Sequence, residues 1–388
     1  LINYILVMGM KIALINTLYA PYKIGGAEVS VQLLAESLQR AGHEVGVFCL
    51  HELDEVKYDT LNGVHIAYLP LKNVYWPFKA SAASKLKKAV WHLLDSYNPF
   101  MARAMRNELR KFSPDVVHTN NLSGFSVAAW RVAKKLGARV VHTTRDYYLF
   151  HPNGTLFKHG QNMDVQSPAV RITSYLKKKA SQRVDAFVGI SKYISALHQG
   201  NGFARNAVHT HIYNPVAAID YVPTVSEKVR IGFVGRLTED KGFDEFCALA
   251  KQASGDPQVA FYAAGRFNGD ASGEKLKGLA LEAGIHLLGF IKIEEFMAQI
   301  DAVVLPTRWN EPFGRTVAES AISGKVVYTS FNGGVAEIAA FYDNIFELKD
   351  FSVASVVSVV RENNNKSRRS FFELEKITDA YESVYRGS

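Results

Sequence analysis

The sequence predicts an α/β protein built from two Rossmann-like α/β/α domains. Three observations predict it. Short apolar runs suited to strands buried on both faces, such as Lys11-Ile12-Ala13-Leu14-Ile15 and Ala302-Val303-Val304-Leu305, alternate with segments of helical spacing. That alternation restarts after a linker, residues 216–228, which carries Pro223 and the acids Asp220 and Glu227. A chain of 388 residues is long enough to give each half its own core. The expected division is 10–215, 216–370 and a last helix within 371–388 that packs back on the N-terminal domain.

Composition narrows the class. Hydrophobic residues make up 48% and charged residues 21%, a globular balance, and no apolar run reaches membrane-spanning length. The opening LINYILVMG lacks a basic leader and a small-residue cleavage site, and reads as an extension ahead of Met10-Lys11. Cys49 and Cys247 are the two cysteines and form neither a disulfide framework nor a metal-ligand pattern, so a reducing, cytoplasmic setting is expected. Charge is divided unevenly: residues 1–215 carry 26 Lys and Arg against 13 Asp and Glu, and the remainder 19 against 24. A basic half seeks phosphate-rich partners or is simply a solvated surface.

In the first half, strand Lys11–Ile15 leads through Tyr19, Pro21 and Tyr22 to Gly25-Gly26 at the mouth of a helix ended by Gly42, and strand Glu44–Leu50 completes a βαβ unit. Paired glycines there either leave N–H groups for a phosphate or sugar, or form a flexible turn. Residues 72–112 hold an aromatic cluster, Val74 to Phe78, among Lys72, Lys79, Lys85, Lys87 and Lys88, with Arg103, Arg106, Arg110 and Lys111 beyond. This is either a face for an anionic membrane or a helical hairpin with a solvated basic side. Strand Pro114–His118, a helix from about Ser123 to Leu136 and strand Arg139–Thr143 follow, and the last ends in Thr144-Arg145-Asp146. His151 and His159 read as surface residues. Val184–Ile190 is a strand, Ser191 caps the next helix, and His209 and His211 form a poor metal site without a third ligand.

The second half opens with strand Lys228–Val234 and Gly235-Arg236-Leu237, then Lys241-Gly242 at a helix start, placing two cations where a diphosphate could lie. Gly265 follows the next strand, and Phe290 and Ile291 the one after. Strand Asp301–Leu305 leads into Glu311-Pro312-Phe313-Gly314-Arg315, with Pro312 expected in the first turn of a helix closed by Gly324. Glu319 stands eight residues after Glu311, a helical rise of roughly 12 Å that suits two acceptors along a nucleotide-sugar. The amides of Phe313, Gly314 and Arg315 sit at the positive end of that helix.

Glu-Pro-Phe-Gly with a Glu eight positions after the first, Gly-Arg-Leu followed by Lys-Gly, and the loop Asn332-Gly333-Gly334 together resemble the retaining glycosyltransferases of family 4, and the resemblance implies their GT-B fold, two Rossmann-like α/β/α domains facing each other across a cleft. The resemblance implies that Glu319 holds the ribose hydroxyls and Glu311 contacts the donor sugar. It also implies that Arg236 and Lys241 face the diphosphate, that Gly265, Phe290 and Ile291 lie beside the nucleotide, and that Gly333 and Gly334 lie near its phosphates. Gly25, Gly26 and Asp146 would line the cleft on the acceptor side. Arg145 departs from the family, which commonly has Thr-x-His-Asp there with the His reaching the donor sugar. The implied reaction moves a sugar, with retention, from a nucleotide-diphosphate sugar to a glycan or lipid-linked hydroxyl in polysaccharide or glycolipid assembly. No Asp-x-Asp occurs in the chain, so no metal and no cofactor are expected. The expected place is cytoplasmic, or peripheral on the cytoplasmic face of the membrane, with no nucleic-acid partner. The competing reading is a non-catalytic protein of the same fold that binds polyanions or nucleic acid through its basic half and turns over no nucleotide-sugar.

Overall fold

The computed structural model describes residues 9–22, 25–78, 84–363 and 367–387. Lys79 of the basic cluster and residues 1–8 of the opening extension lie outside them. The chain forms two compact units, one of Leu1–Leu156, Asp164–Pro215 and Leu374–Ser388, the other of Phe157–Met163 and Val216–Glu373.

The first unit carries an eight-stranded sheet built from β1 (Lys11–Ile15), β2 (Glu44–His51), β3 (Lys57–Leu61), β4 (Val64–Pro70), β5 (Val116–Thr119) and β6 (Arg139–Thr144), with two later strands, Ala186–Gly189 and Val208–His211. A two-stranded hairpin, β7 (Phe157–Lys158) and β8 (Gln161–Asn162), belongs to the other unit, so the later pair are β9 and β10. The strand order is β10-β9-β6-β5-β1-β2-β4-β3, and all pairs are parallel except the β3–β4 hairpin. Helices α1 (Gly26–Arg40), α2 (Lys85–Ser96), α3 (Pro99–Phe112), α4 (Ala128–Lys135), α5 (Pro168–Ser181) and α6 (Lys192–Gly200) connect them. Central strands are buried along almost their whole length because helices cover both faces of a parallel sheet. The β3–β4 hairpin turns at Asn62-Gly63, both with positive φ, the turn chemistry that two-residue hairpins require. Helix α4 starts later than the expected Ser123 because Gly124 and Ser126 hold left-handed φ, and the Ser126 hydroxyl accepts from the amides of Asn98 and Ala128.

The second unit has a six-stranded parallel sheet of β11 (Val229–Val234), β12 (Val259–Ala264), β13 (His286–Gly289), β14 (Ala302–Leu305), β15 (Val326–Thr329) and β16 (Ile345–Glu347). Its helices are α7 (Phe243–Gln252), α8 (Ala271–Glu282), α9 (Ile293–Gln299), α10 (Arg315–Ile322), α11 (Val335–Ala339) and α12 (Val353–Asn363). The order β13-β12-β11-β14-β15-β16 reads 3-2-1-4-5-6 by appearance, that of dinucleotide-binding sheets, so the chain reverses direction between β11 and β14. Ligands of such sheets bind beyond the carboxyl ends of the strands at that reversal. The last helix, α13 (Leu374–Arg386), packs on the first unit: Tyr385 Oη lies 2.7 Å from His118 Nδ1, Thr378 Oγ1 donates to Ser37 Oγ at 2.8 Å, and Arg139 Nε donates to the Val384 carbonyl. Burial holds His118 well below the usual histidine range, so it is neutral in this network.

One buried charge cluster anchors the loop after β6. Lys177 on α5 is fully buried and donates to the Tyr148 carbonyl at 2.6 Å, its ammonium 3.7 Å from the centre of the Tyr148 ring. Removal from water pulls Lys177 down to about 8 and pushes Asp95 and Asp146 up to about 6, and each carboxyl is drawn part of the way back by the Lys177 charge. Raised carboxyl values mean that ionising Asp95 and Asp146 opposes folding, an effect that grows as pH rises through about 6 and that Lys177 offsets. Lys177→Met leaves those charges unpaired and is expected to cost about 3–5 kcal/mol at pH 7.5, less at pH 5 where the carboxyls carry protons. Urea denaturation of both proteins at the two pH values checks this. An equal loss at both would remove the electrostatic role.

Candidate active site

The site forms in the second unit, where β11 and β14 diverge. Gly235 leaves β11 with φ of 141°, and a Cβ on Gly265 would lie 1.8 Å from the Gly235 carbonyl oxygen, so the loops after β11 and β12 meet at backbone contact that only glycine allows. Gly242 does the same between β11 and β14. Its φ is 74°, and a Cβ there would lie 1.7 Å from the Pro306 carbonyl oxygen. Backbone amides of Arg308 and Trp309 donate to the Asp240 carbonyl and lock the two loops together.

That approach sets Lys241 against Glu311. Lys241 Nζ donates to Glu311 Oε2 at 2.6 Å, and Trp309 Nε1 donates to the same oxygen at 3.0 Å. The ammonium also stands 4.8 Å from the centre of the Trp309 ring. Both charged groups are largely shielded from water, which strengthens their attraction, and the contacts to Lys241 and Trp309 both fall on Oε2. Asn162, on the hairpin brought in from the first half of the chain, donates to the Arg308 carbonyl and accepts from the Asn310 amide, bracing the segment that presents Glu311.

Helix α10 begins at Arg315, so Pro312 does not occupy its first turn and Glu311 is not on the helix. Gly314 precedes it with a left-handed φ of 96°, which turns Glu311-Pro312-Phe313 out of helical register. The helical rise expected between Glu311 and Glu319 therefore does not describe their separation. Glu319 lies on α10, and Arg315 Nε donates to its Oε1 at 2.7 Å. Burial raises the Glu319 carboxyl and the Arg315 charge opposes that rise, so a cation already accompanies each of the two carboxylates. A small cavity of about 40 Å³ is lined by Gly235, Lys241, Glu311, Gly314, Thr316 and Val317. The positive end of the α10 dipole is thus in its wall. Gly333 presses on this loop from the far side, where a Cβ would meet the Glu311 carbonyl oxygen at 2.4 Å, and the Gly334 amide donates to that carbonyl at 2.7 Å.

Other expected residues take different places. Arg236 is not joined to Lys241; its Nη2 pairs with Asp240 Oδ2 at 2.5 Å and over half of its side chain is exposed. Lys241 closes a single 3₁₀ turn, Glu239–Lys241, rather than opening α7. Phe313 is buried with its ring 5.4 Å from that of Phe372, a core role for its side chain. The exposed Phe290 ring lies 4.0 Å from the Arg266 guanidinium, beside Ile291 and within reach of the Gly265 loop, whose amide donates to the Gly289 carbonyl. The sequence assigns no role to Trp309 or Asn162, and it places Gly242 at a helix start without its contact to Pro306. An indole two residues before Glu311 was a usable signal, whereas nothing local marked Asn162.

In the first unit, Gly25 precedes α1 and its amide is already taken by Glu28 Oε2 at 2.9 Å, so it is not held open beside Gly26 for a ligand. Arg145 donates to Asn120 Oδ1 at 2.9 Å and to Asn214 Oδ1 at 2.6 Å. Asp146 accepts from the Tyr148 amide and serves the turn. A larger cavity of about 390 Å³ opens beside the β3–β4 hairpin, lined in part by Tyr22, His51, Glu52, Asp59, Trp76 and Phe78. His51 Nε2 is buried there and has no hydrogen-bond partner among the described residues. Among the described residues no group of three or more His, Cys, Asp or Glu could hold a metal ion.

Comparison with known proteins agrees with this architecture. Residues 24–218 match the family model Glycosyltransferase Family 4, and residues 221–368 match Glycosyl transferases group 1. The chain is 45% identical over 379 residues to an uncharacterized 42.6 kDa protein in the cps region of Klebsiella pneumoniae, covering 97% of this chain and all of that one. It is 25% identical to an uncharacterized glycosyltransferase of Methanocaldococcus jannaschii, over 85% of this chain and 82% of the other. Among solved structures it is similar to sucrose-phosphate synthase from Thermosynechococcus elongatus, with a TM-score of 0.71 and 18% identity over 97% and 98% of the two chains. It is also similar to Anabaena HepE in complex with UDP and glucose, with a TM-score of 0.62 and 16% identity over 98% and 100%. These likenesses establish the GT-B fold with two Rossmann-like domains. The chain belongs to glycosyltransferase family 4.

Proposed function

We propose that the second unit binds a nucleotide-diphosphate sugar at the β11/β14 reversal and that the protein transfers the sugar, with retention, to a hydroxyl of a glycan or lipid-linked acceptor. The observation that carries this reading is the Lys241–Glu311 pair beside the N-terminus of α10. Lys241 and the first turn of α10 offer positive potential to a diphosphate, and Glu311 Oε1 offers an acceptor for a sugar hydroxyl. Glu319, held by Arg315, is the carboxylate for the ribose hydroxyls, and Arg236 is exposed enough to turn from Asp240 to a phosphate. In the reaction the bond from C1 to the diphosphate oxygen breaks and a bond from C1 to the acceptor oxygen forms. The acceptor proton passes to the departing phosphate on the same face of the sugar. The absence of an Asp-x-Asp pair supports leaving-group stabilisation by these protein groups rather than by a metal. HepE was solved with UDP and glucose, which supports a nucleotide-sugar at the corresponding fold position, and the relative in a cps region supports an acceptor from cell-surface polysaccharide assembly. The 390 Å³ cavity of the first unit, with exposed aromatic faces beside Glu52, Asp59 and His51, suits a sugar ring of that acceptor.

Glu319→Ala is expected to weaken binding of the nucleotide that the protein prefers by about 10- to 100-fold, the scale of a lost hydrogen bond to a charged group. Calorimetric titration measures it, and unchanged affinity would remove Glu319 from the ribose. Turnover is expected to persist in EDTA and to give a product that keeps the donor's anomeric configuration by proton NMR. Loss of activity in EDTA contradicts the metal-free step, and an inverted product contradicts retention.

A further inference from the structure

The first unit carries an outward apolar face that the transfer reaction does not use. On α5 the buried residues Val170, Ser174, Lys177 and Ser181 define the inner side. Ile172, Tyr175 and Leu176 lie about 180° around the helix from them, given 100° per residue, and Ile172 is 76% exposed. Helix α2, which packs against α5, repeats the pattern. Trp91 and Asp95 face inward, while Leu86, Val90 and Leu93 recur at helical spacing on the other side, Leu86 at 74% and Leu93 at 71% exposed. Phe100, at the start of α3, extends the face with an exposed ring. A surface helix ordinarily turns its polar side outward, so two touching helices that both turn large aliphatic residues to water mark a docking surface.

Charge identifies the partner. Helices α2, α3 and α5 together contain only two acids, Asp95 and Glu108, and both are buried. Exposed cations flank the apolar stripe: Lys85 and Lys87 on α2 and Arg171 and Lys179 on α5. Beside the stripe, a cavity of about 230 Å³ is lined by Tyr97, Pro99, Arg106, Arg131 and Lys135. Arg131 Nη1 donates to Tyr97 Oη at 3.3 Å, and among the described residues none of the three cations is paired with a carboxylate. A second copy docking through the same face would bring like charges together. An anionic lipid surface instead takes apolar side chains into its acyl boundary while its phosphates meet cations at headgroup depth.

We propose that the α2/α5 face docks the protein on an anionic phospholipid membrane, with Leu86, Leu93 and Ile172 entering the interface and the Arg106/Arg131/Lys135 cavity holding a lipid phosphate. The surface differs from the aromatic cluster at 74–78, where Trp76 and Phe78 line the 390 Å³ cavity. It is independent of which nucleotide the second unit binds.

Cosedimentation of the full chain with vesicles tests it, using phosphatidylcholine alone and phosphatidylcholine with phosphatidylglycerol in about a 7:3 ratio. The protein is expected to pellet with the anionic vesicles at low salt and to be released as salt is raised. Leu93→Asp combined with Ile172→Asp replaces exposed side chains, so its melting temperature should match the wild type while its partition into anionic vesicles falls about tenfold or more. Arg106→Glu with Lys135→Glu should abolish the preference for anionic over neutral vesicles. Failure of the wild type to pellet, equal binding to neutral vesicles, or unchanged partition of either double variant overturns the proposal. So does a dimer in solution that Leu93→Asp dissolves while no vesicle binding is seen, because the face would then belong to a second copy.

Discussion

Everything proposed for the second unit depends on one electrostatic contact, Lys241 Nζ against Glu311 Oε2 at 2.6 Å. Its partners come from two loops, after β11 and after β14, that a parallel sheet brings together only at the reversal of its strand order. The contact needs Gly242, since any side chain there would strike the Pro306 carbonyl, and Gly333, since any side chain there would strike the Glu311 carbonyl. Trp309 adds a donor and a π-face, so the pair is shielded from water yet satisfied. A lysine held this way is a fixed point charge beside a helix N-terminus, which is what the proposed diphosphate site requires.

Short apolar strands and the glycines between them were readable in order, because strands buried on both faces leave continuous hydrophobic runs. Gly-Arg-Leu with Lys-Gly, and Glu-Pro-Phe-Gly, located the two loops that form the site. The start of α10 was misjudged: proline favours a first turn, but Gly314 adopts a left-handed φ that delays the helix to Arg315, and a glycine's φ is not written in its neighbours. The β3–β4 hairpin was missed although Asn62-Gly63 announces it. Asn162 and Lys177 were beyond sequence reasoning, since their roles come from partners far along the chain, Arg308 and Asn310 for one and Asp95 for the other.

The two units use charge in opposite ways. In the second, Lys241 and Glu311 line a small cavity as a partly shielded pair, and two further cation–carboxylate pairs, Arg236–Asp240 and Arg315–Glu319, lie on the loop after β11 and on α10. In the first, acids on the peripheral helices are drawn inside: Asp95 lies near buried Lys177, and Glu108 accepts from Tyr58 and Lys111. Withdrawing the acids leaves the outer surface of those helices cationic and apolar at once. The same Lys177 cluster also fixes α5 to the loop that carries Arg145 and Asp146.

The most direct measurement is a thermal-shift comparison of wild type and Lys241→Ala against UDP, GDP, ADP and CMP and their common sugar conjugates, all in EDTA. The account predicts that one nucleotide family stabilises the wild type and that the variant loses most of that shift. Stabilisation that survives in Lys241→Ala would contradict a donor site centred on the Lys241–Glu311 pair, and no shift with any nucleotide would contradict the nucleotide-sugar reading itself.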